Sequence, residues 1–542
     1  MKKRKLRLIA LALTAVMLLS GCGMVDFAGY FRGMQSMMGG SQFVSYRSME
    51  YSRPDMDRIR AALDTAICTA ETEQNGVEAV IDAIYGFYEE YDWFQTCYSL
   101  ADIRYCCDMT DIYWEKEYDY CLENSPAVDA MLEELYYALA ESPLREELEA
   151  EEYFGEGYFD SYDGENQWDA EFVALMEQES ELKSRYYALS AQSLNEESGT
   201  EAYYDAVAED MAGLLVELIA LRQEIAAYWG YEDYVQFASD FYYYRDYTPA
   251  EMAEYLTQVQ AELSDLYRCV SDADFEAVNA PCPEIDTFRY VRTAAENMGG
   301  TVWEAFQLLE DAGLYDISYG ENKYNASFEV YLTSYWEPFV FVNPTLTRYD
   351  CLTFAHEFGH FANDYACYGT YAGVDVTEVY SQGMEYLSLC YGENTEDLVR
   401  AKLADSLCVY VEQSAYAAFE QQMYSLAPED LSTEGLYALY DTIARAYGFD
   451  SGDYDVREFV SIPHFYTNPL YVFSYVVSND AAMQLYQLEQ AQPGAGLARM
   501  EENLDAQVYY FQEFMEHTGL ESPFAPGRLQ AVRETFEREF GR

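Results

Sequence analysis

Apolar residues recur every three or four positions over most of the chain, the spacing of helices that bury one stripe. Residues 56–150 carry the pattern clearly, as at Val80, Ile81, Ile84, Tyr85 and Tyr88. The Gly- and Asp-rich stretch from Gly155 to Asp169 interrupts it and predicts a loop or hairpin. Its Asp160, Asp163 and Asp169 do not have calcium-loop spacing. Helical spacing resumes near residue 175. Thr248-Pro249-Ala250-Glu251 is a capping box with Pro at the first helical position, which predicts a helix start. One region has another period. Residues 327–333 and 338–343 are short β-branched and aromatic runs, read as two strands. The expectation is a mainly α fold with one small sheet.

At 542 residues the chain is long enough for two lobes. Its first residues read differently from the rest. Lys2 to Arg7 form a basic segment, and Leu8 to Leu19 an apolar run too short to span a bilayer permanently. The run ends in Leu19-Ser20-Gly21-Cys22, which resembles a bacterial lipobox and makes Cys22 the expected lipidation site. An ordinary cleaved signal peptide with a chance Cys is the alternative. The expected organisation is a leader at 1–21, a Gly-rich tether at 22–53, a helical lobe at 54–200 and a catalytic domain at 201–542. The expected setting is the outside of a bacterial membrane, held by a lipid anchor, as a monomer.

The formal net charge is -66. Phosphate binding needs clustered Lys and Arg, so nucleic acid is excluded as a partner. Such a surface favours cationic peptides, although solubility alone also explains it. The twelve Cys show no repeated spacing and no C-x-x-C zinc site. Cys68, Cys107, Cys269 and Cys408 fall within helical patterns and read as small buried residues. An exported chain permits disulfides, with Cys97 and Cys106-Cys107 as candidates.

The chain has four histidines, and two of them form His356-Glu357-Phe358-Gly359-His360. Residues four apart share a helix face, so both imidazoles can bind one zinc ion with Glu357 beside them. Catalytic zinc takes three protein ligands and leaves one position open. The next helix is expected to open near Asp375 and carries Glu378 and Glu385, two turns apart on one face. One of these carboxylates can bind the metal, while the other accepts the second N–H of a ligand histidine. An ordinary helix cap is the alternative reading of Asp375 and Glu378. Downstream, Pro463-His464-Phe465-Tyr466 runs on to Tyr471 and Tyr475, groups able to donate to an oxyanion. His517 reads as a solvated helix residue.

Thr353 to His360, followed by Glu378-x-x-Ser381-Gln382-x-x-Glu385, resembles the thimet oligopeptidase and oligoendopeptidase F family of zinc peptidases. The His464 to Tyr475 run and Trp229-Gly230-Tyr231-Glu232-Asp233-Tyr234 are similar to further segments of that family. The resemblance spans roughly residues 200–490. It implies a helical clamshell of zincin type, a groove lined by a small sheet, and oligopeptide substrates. It also implies zinc on His356, His360 and Glu378, with Glu385 behind a ligand histidine. The chain departs from the family at Tyr380, where thimet-type members have Pro, and at Asn325-Ala326, where many have Gly-Ala. The gap from His360 to Glu378 is also shorter.

The expected activity is a zinc endopeptidase acting on short extracellular peptides. Glu357 is the general base, and His464 with Tyr471 stabilises the oxyanion. A zinc carboxypeptidase or dipeptidase is the second reading. An anchored, inactive peptide-binding lipoprotein is the third, against which the intact Glu357 stands, because binding alone needs no base.

Overall fold

The computed structural model describes residues 44–150, 153–164, 166, 168–192, 199–369, 372–449, 454–506 and 508–540. The expected leader, Cys22 and the tether as far as residue 43 lie outside the described residues. Helices dominate. The longest before the sheet are α1 (Met56–Ala70), α2 (Val77–Cys107), α3 (Ile112–Ala140), α4 (Ala170–Gln192), α5 (Gly199–Tyr228) and α6 (Pro249–Tyr267). The capping box at the start of α6 forms with both of its reciprocal bonds. After the strands come α7 (Asp350–Cys367), α8 (Val374–Tyr391), α9 (Glu396–Cys408), α10 (Ser414–Met423) and α11 (Val472–Ala491).

Two hydrophobic cores hold these elements. The smaller lies among α1, α2 and α3, around Leu63, Ile84, Phe87 and Leu135. The larger takes in the rest, including α4 and α5. Helix α2 joins them: Phe94 and Ala101 belong to the smaller core, Leu100 and Ile103 to the larger. At about 1.5 Å per residue, a helix of this length spans both.

The sheet has three strands, β1 (Tyr315–Asp316), β2 (Ser327–Leu332) and β3 (Glu337–Val342), in the order β1-β3-β2. β2 and β3 are antiparallel with Ser327 opposite Val342 and Leu332 opposite Glu337. Both pack on α7. These two strands fall within one residue of the sequence expectation. β1 was not expected, because two residues carry no readable period. The described residues of the Gly155–Asp169 stretch form turns and a short 3-10 helix at Tyr158–Tyr162, with no strand among them, so they read as a loop rather than a hairpin.

Three sequence expectations need correction. The end of the expected tether, residues 44–53, is part of the folded body. Val44 N–H donates to Glu337, Met49 is buried, and Arg53 pairs with Glu117 at 2.7 Å. Cys68 and Cys269 are exposed and Cys107 half-buried, since their helices turn these positions outward; only Cys408 is buried as expected. The cysteines among the described residues are free thiols, so Cys97 bonds neither Cys106 nor Cys107. Among the described residues no helix is long and apolar enough to cross a membrane.

Candidate metal centre

The centre is built where α8 packs between α7 and α11. Gly359 sets the approach of α7 to α8. A Cβ there would lie 2.6 Å from both the Ser381 Cα and the Tyr380 carbonyl oxygen, so any larger residue would force the helices apart. This contact brings Glu378 in front of the histidine pair. Its Oε2 lies 3.4 Å from His356 Nε2 and 3.7 Å from His360 Nε2. One donor atom from each of the three residues falls within 4.8 Å of the others, and all three residues are buried. Glu378 is therefore no helix cap, since its carboxylate faces the interior.

The atoms around the first three residues fix their roles. His356 Nδ1 meets Glu385 Oε1 at 2.8 Å, which leaves Nε2 free to bind a cation. Lys402 supports Glu385 from behind, with Nζ 2.8 Å from Oε2 and 3.2 Å from Asp405. Glu378 Oε1 accepts from the Tyr471 hydroxyl at 2.7 Å, and Oε2 from Ser381 Oγ at 2.8 Å. Among the described residues, His356 Nε2, both His360 nitrogens and both Glu357 oxygens have no hydrogen-bond partner. Buried polar atoms of this kind are rare unless something else binds them.

The electrostatics agree. Burial lifts the Glu357 carboxyl to about 8, with the fields of Glu378 and Glu385 adding to it against His356. Burial raises Glu378 too, opposed by His356 and the bonds from Tyr471 and Ser381. Burial pulls His356 down, but the bond to Glu385 and the nearby carboxylates outweigh it and set it at about 9. His360 is driven well below its ordinary value by burial and by His356. The cluster is short of positive charge at its centre. Two imidazole nitrogens and a carboxylate oxygen are a donor set that suits zinc, so the residues fit the metal.

His464 stands on the other side of Tyr471, at the start of a short helix, His464–Thr467. Its ring packs on Tyr471 with centroids 5.1 Å apart, and its Nε2 lies 3.3 Å from the Tyr475 hydroxyl. Tyr466 stacks on Tyr186 and sends its hydroxyl to the Met211 carbonyl, away from the metal ligands. Thus Tyr471 is spent on Glu378, and Tyr475 is the hydroxyl beside His464. His517 is exposed, as expected.

Sequence reasoning missed what holds this segment. Arg222, fully buried on α5, pairs with Glu179 at 2.7 Å and donates to the carbonyls of Phe465 and Tyr466. Tyr243 donates to the Pro469 carbonyl at 2.6 Å and Arg245 to the Leu470 carbonyl at 2.9 Å, while Glu420 accepts the Leu470 N–H at 2.8 Å. Leu470 itself sits at φ 66°, a left-handed conformation that a Leu adopts only when its surroundings compel it. Lys402 was also missed. A Lys among Leu398, Ala401, Leu403 and Ala404 on a helix, in so acidic a chain, was the available signal.

With this geometry in view, comparison with known proteins becomes specific. Residues 46–168 match the family model described as the Peptidase M3 N-terminal domain. The match covers the smaller core and stops well before the metal ligands. Solved structures extend the likeness in fold to nearly the whole chain. PZ peptidase A, solved with an inhibitor, superposes with a TM-score of 0.79 at 20% identity, covering 91% of this chain and 99% of that one. A chain from Bacillus anthracis strain Ames, provisionally assigned as oligoendopeptidase F, gives 0.77 at 21% over 92% and 99%. The oligoendopeptidase F of Enterococcus faecium gives 0.59 at 16% over 89% and 96%. Comparison with curated proteins gives no match. Residues 46–168 thus resemble the N-terminal domain of M3 peptidases, and the chain shares the helical fold of these solved structures.

Proposed function

We propose that the chain is a zinc-dependent endopeptidase that hydrolyses short peptides. The observation that carries the proposal is the buried His356–His360–Glu378 triangle with Glu357 beside it, the base unbonded to protein among the described residues. His356, His360 and Glu378 hold the ion, and Glu385 with Lys402 fixes the His356 ring. Bound zinc supplies Lewis acidity, which lowers the pKa of a water and polarises a carbonyl.

Glu357 takes the proton of the attacking water and delivers it to the leaving amine. Its raised affinity for a proton suits both halves of that transfer. His464 Nε2 and the Tyr475 hydroxyl donate to the developing oxyanion, held in place by the Arg222, Tyr243 and Arg245 contacts to the segment's backbone. β2 is an edge strand in a sheet ordered β1-β3-β2, and peptides add to such edges through main-chain hydrogen bonds. The N-terminal leader, lipidation at Cys22 and an extracytoplasmic, membrane-anchored setting complete the proposal; they rest on the sequence of residues 1–22.

The test uses a fluorogenic peptide blocked at both ends. Internal cleavage that stops on chelation and returns with zinc is expected. Glu357→Gln should keep the metal and lose roughly 10²–10⁴-fold in kcat. Cleavage only from a free end would favour the carboxypeptidase or dipeptidase reading, and full activity in Glu357→Gln would overturn the assignment of the base.

A further inference from the structure

The segment that carries His464 turns a corner beside the metal centre. His464 lies on the short helix that ends at Thr467, while Tyr471 and Tyr475 lie beyond the corner, where α11 begins. Leu470, immediately before Tyr471, is the corner residue, at φ 66°. Outside Gly this left-handed conformation is costly and persists only where contacts impose it. Two pairings depend on it. His464 Nε2 meets the Tyr475 hydroxyl at 3.3 Å across the corner, and the Tyr471 hydroxyl donates to Glu378 Oε1 at 2.7 Å just after it. Turning Leu470 to an ordinary helical φ of about −63° would swing His464 away from both tyrosines.

Two peptide planes meet at Leu470, and both are held. In the first, the Pro469 carbonyl accepts from the Tyr243 hydroxyl at 2.6 Å, and the Leu470 N–H donates to Glu420 Oε1 at 2.8 Å. In the second, the Leu470 carbonyl accepts from Arg245 Nη2 at 2.9 Å. Fixing both planes fixes the φ and ψ between them. Glu420 reaches the corner from α10 and is fully buried, and its other oxygen has no hydrogen-bond partner among the described residues. Burying an acid is costly. The fields of Arg222 and Arg245 offset part of that cost, although each is paired with another carboxylate, Glu179 and Asp375.

We infer that Glu420 is a positioning residue for peptide hydrolysis: by accepting the Leu470 N–H it holds the corner that sets Tyr471 on Glu378 and His464 beside Tyr475. It acts through the backbone of Leu470. The inference rests on the peptidase reading and deepens it.

The test compares Glu420→Gln, whose amide oxygen still accepts the Leu470 N–H, with Glu420→Met, which removes the acceptor and keeps a similar volume. Each is measured for kcat and KM on a peptide blocked at both ends, and for zinc affinity by chelator competition on apoprotein. Glu420→Met should lose roughly 10- to 100-fold in kcat, the cost of displacing reacting groups by about an ångström, with KM within about twofold of the parent. Its zinc affinity should fall by up to about tenfold, because Tyr471 no longer supports Glu378. Glu420→Gln should keep most of both. A Glu420 that serves packing alone predicts the reverse order, since Met suits an apolar core better than an amide with an unpaired N–H. Tyr243→Phe, which removes one oxygen from the same corner, should shift kcat and zinc affinity in the direction of Glu420→Met. Parent-like kcat and zinc affinity in folded Glu420→Met, or in Tyr243→Phe should Glu420→Met not fold, would overturn the inference and leave the peptidase reading intact. So would a Glu420→Gln as impaired as Glu420→Met. A parent chain that cuts no peptide would remove that reading and the inference with it.

Discussion

Replacing Tyr471 with Phe deletes one oxygen and separates two roles for that residue. The hydroxyl donates to Glu378 Oε1 at 2.7 Å, while Glu378 Oε2 faces both imidazoles. The ring is buried and packs on His464, and Phe keeps that packing. What is lost is a hydrogen bond to a charged acceptor, worth about 1.5–3 kcal/mol. If that energy holds the carboxylate ready for the ion, zinc affinity falls roughly 10- to 100-fold, the usual cost of removing an outer partner of a ligand. The bond also holds Glu378 down against the burial that raises it, so the deficit should widen as pH falls and protons compete for the carboxylate. Competition against a chromophoric chelator, run at several pH values on apoprotein, measures this. Zinc affinity within about twofold of the parent, with kcat lowered by orders of magnitude, would refute the reasoning. It would put the hydroxyl on the reacting carbonyl, as the sequence alone suggested.

Other consequences follow from single contacts. Lys402→Met leaves the buried Glu385 and the half-buried Asp405 without their cation and should cost roughly 3–5 kcal/mol in urea unfolding, together with weaker zinc binding; unaltered stability would show the pair to be dispensable. Gly359→Ala pushes a methyl into backbone atoms of α8 and should lower both Tm and zinc affinity, whereas Gly86→Ala, with nothing within 4 Å of its new Cβ, should be neutral or stabilising by about 0.5–1 kcal/mol. Equal effects of the two would contradict the close approach of the helices. Burial lifts the Asp102 carboxyl to about 7, against roughly 3.9 when unfolded. The folded state then holds the proton more tightly, so stability falls as pH rises from about 4 to about 7. Asp102→Asn should match the parent near the low end and exceed it above pH 7, by no more than about 4 kcal/mol; parallel curves across that range would exclude a buried acid there.

The fold and the clustering of His356, His360 and Glu378 were legible for a physical reason. Helix period, a capping box and two runs of β-branched and aromatic residues are local signals, and they placed α6, β2 and β3 to within a residue or so. The pair His356 and His360 is local too, because one helix presents both on one face. The next helix offered Glu378 and Glu385 as candidates, and the resemblance to the oligopeptidase family singled out Glu378. What was not legible was long-range. Lys402 reaches Glu385, and Arg222 and Arg245 grip the His464 segment, from residues far away in sequence, so no period reports them. The choice of Tyr471 over Tyr475 as the neighbour of the oxyanion turned on which side of a helix start each occupies, a matter of one turn. The fate of residues 44–53 was misread for a related reason, since a Gly-rich stretch gives way to anchoring contacts, such as Arg53 with Glu117, that composition does not reveal.

The central claim is one ion held by two imidazoles and a carboxylate. X-ray absorption at the zinc edge on stoichiometrically loaded protein, beside the same measurement on Glu378→Ala, tests it most directly. The parent should bind one zinc per chain, with nitrogen and oxygen scatterers at about 2.0–2.2 Å and no sulfur, and Glu378→Ala should lose an oxygen scatterer and most of the affinity. A parent chain that binds no zinc, or that holds it through cysteine sulfur, would contradict the account.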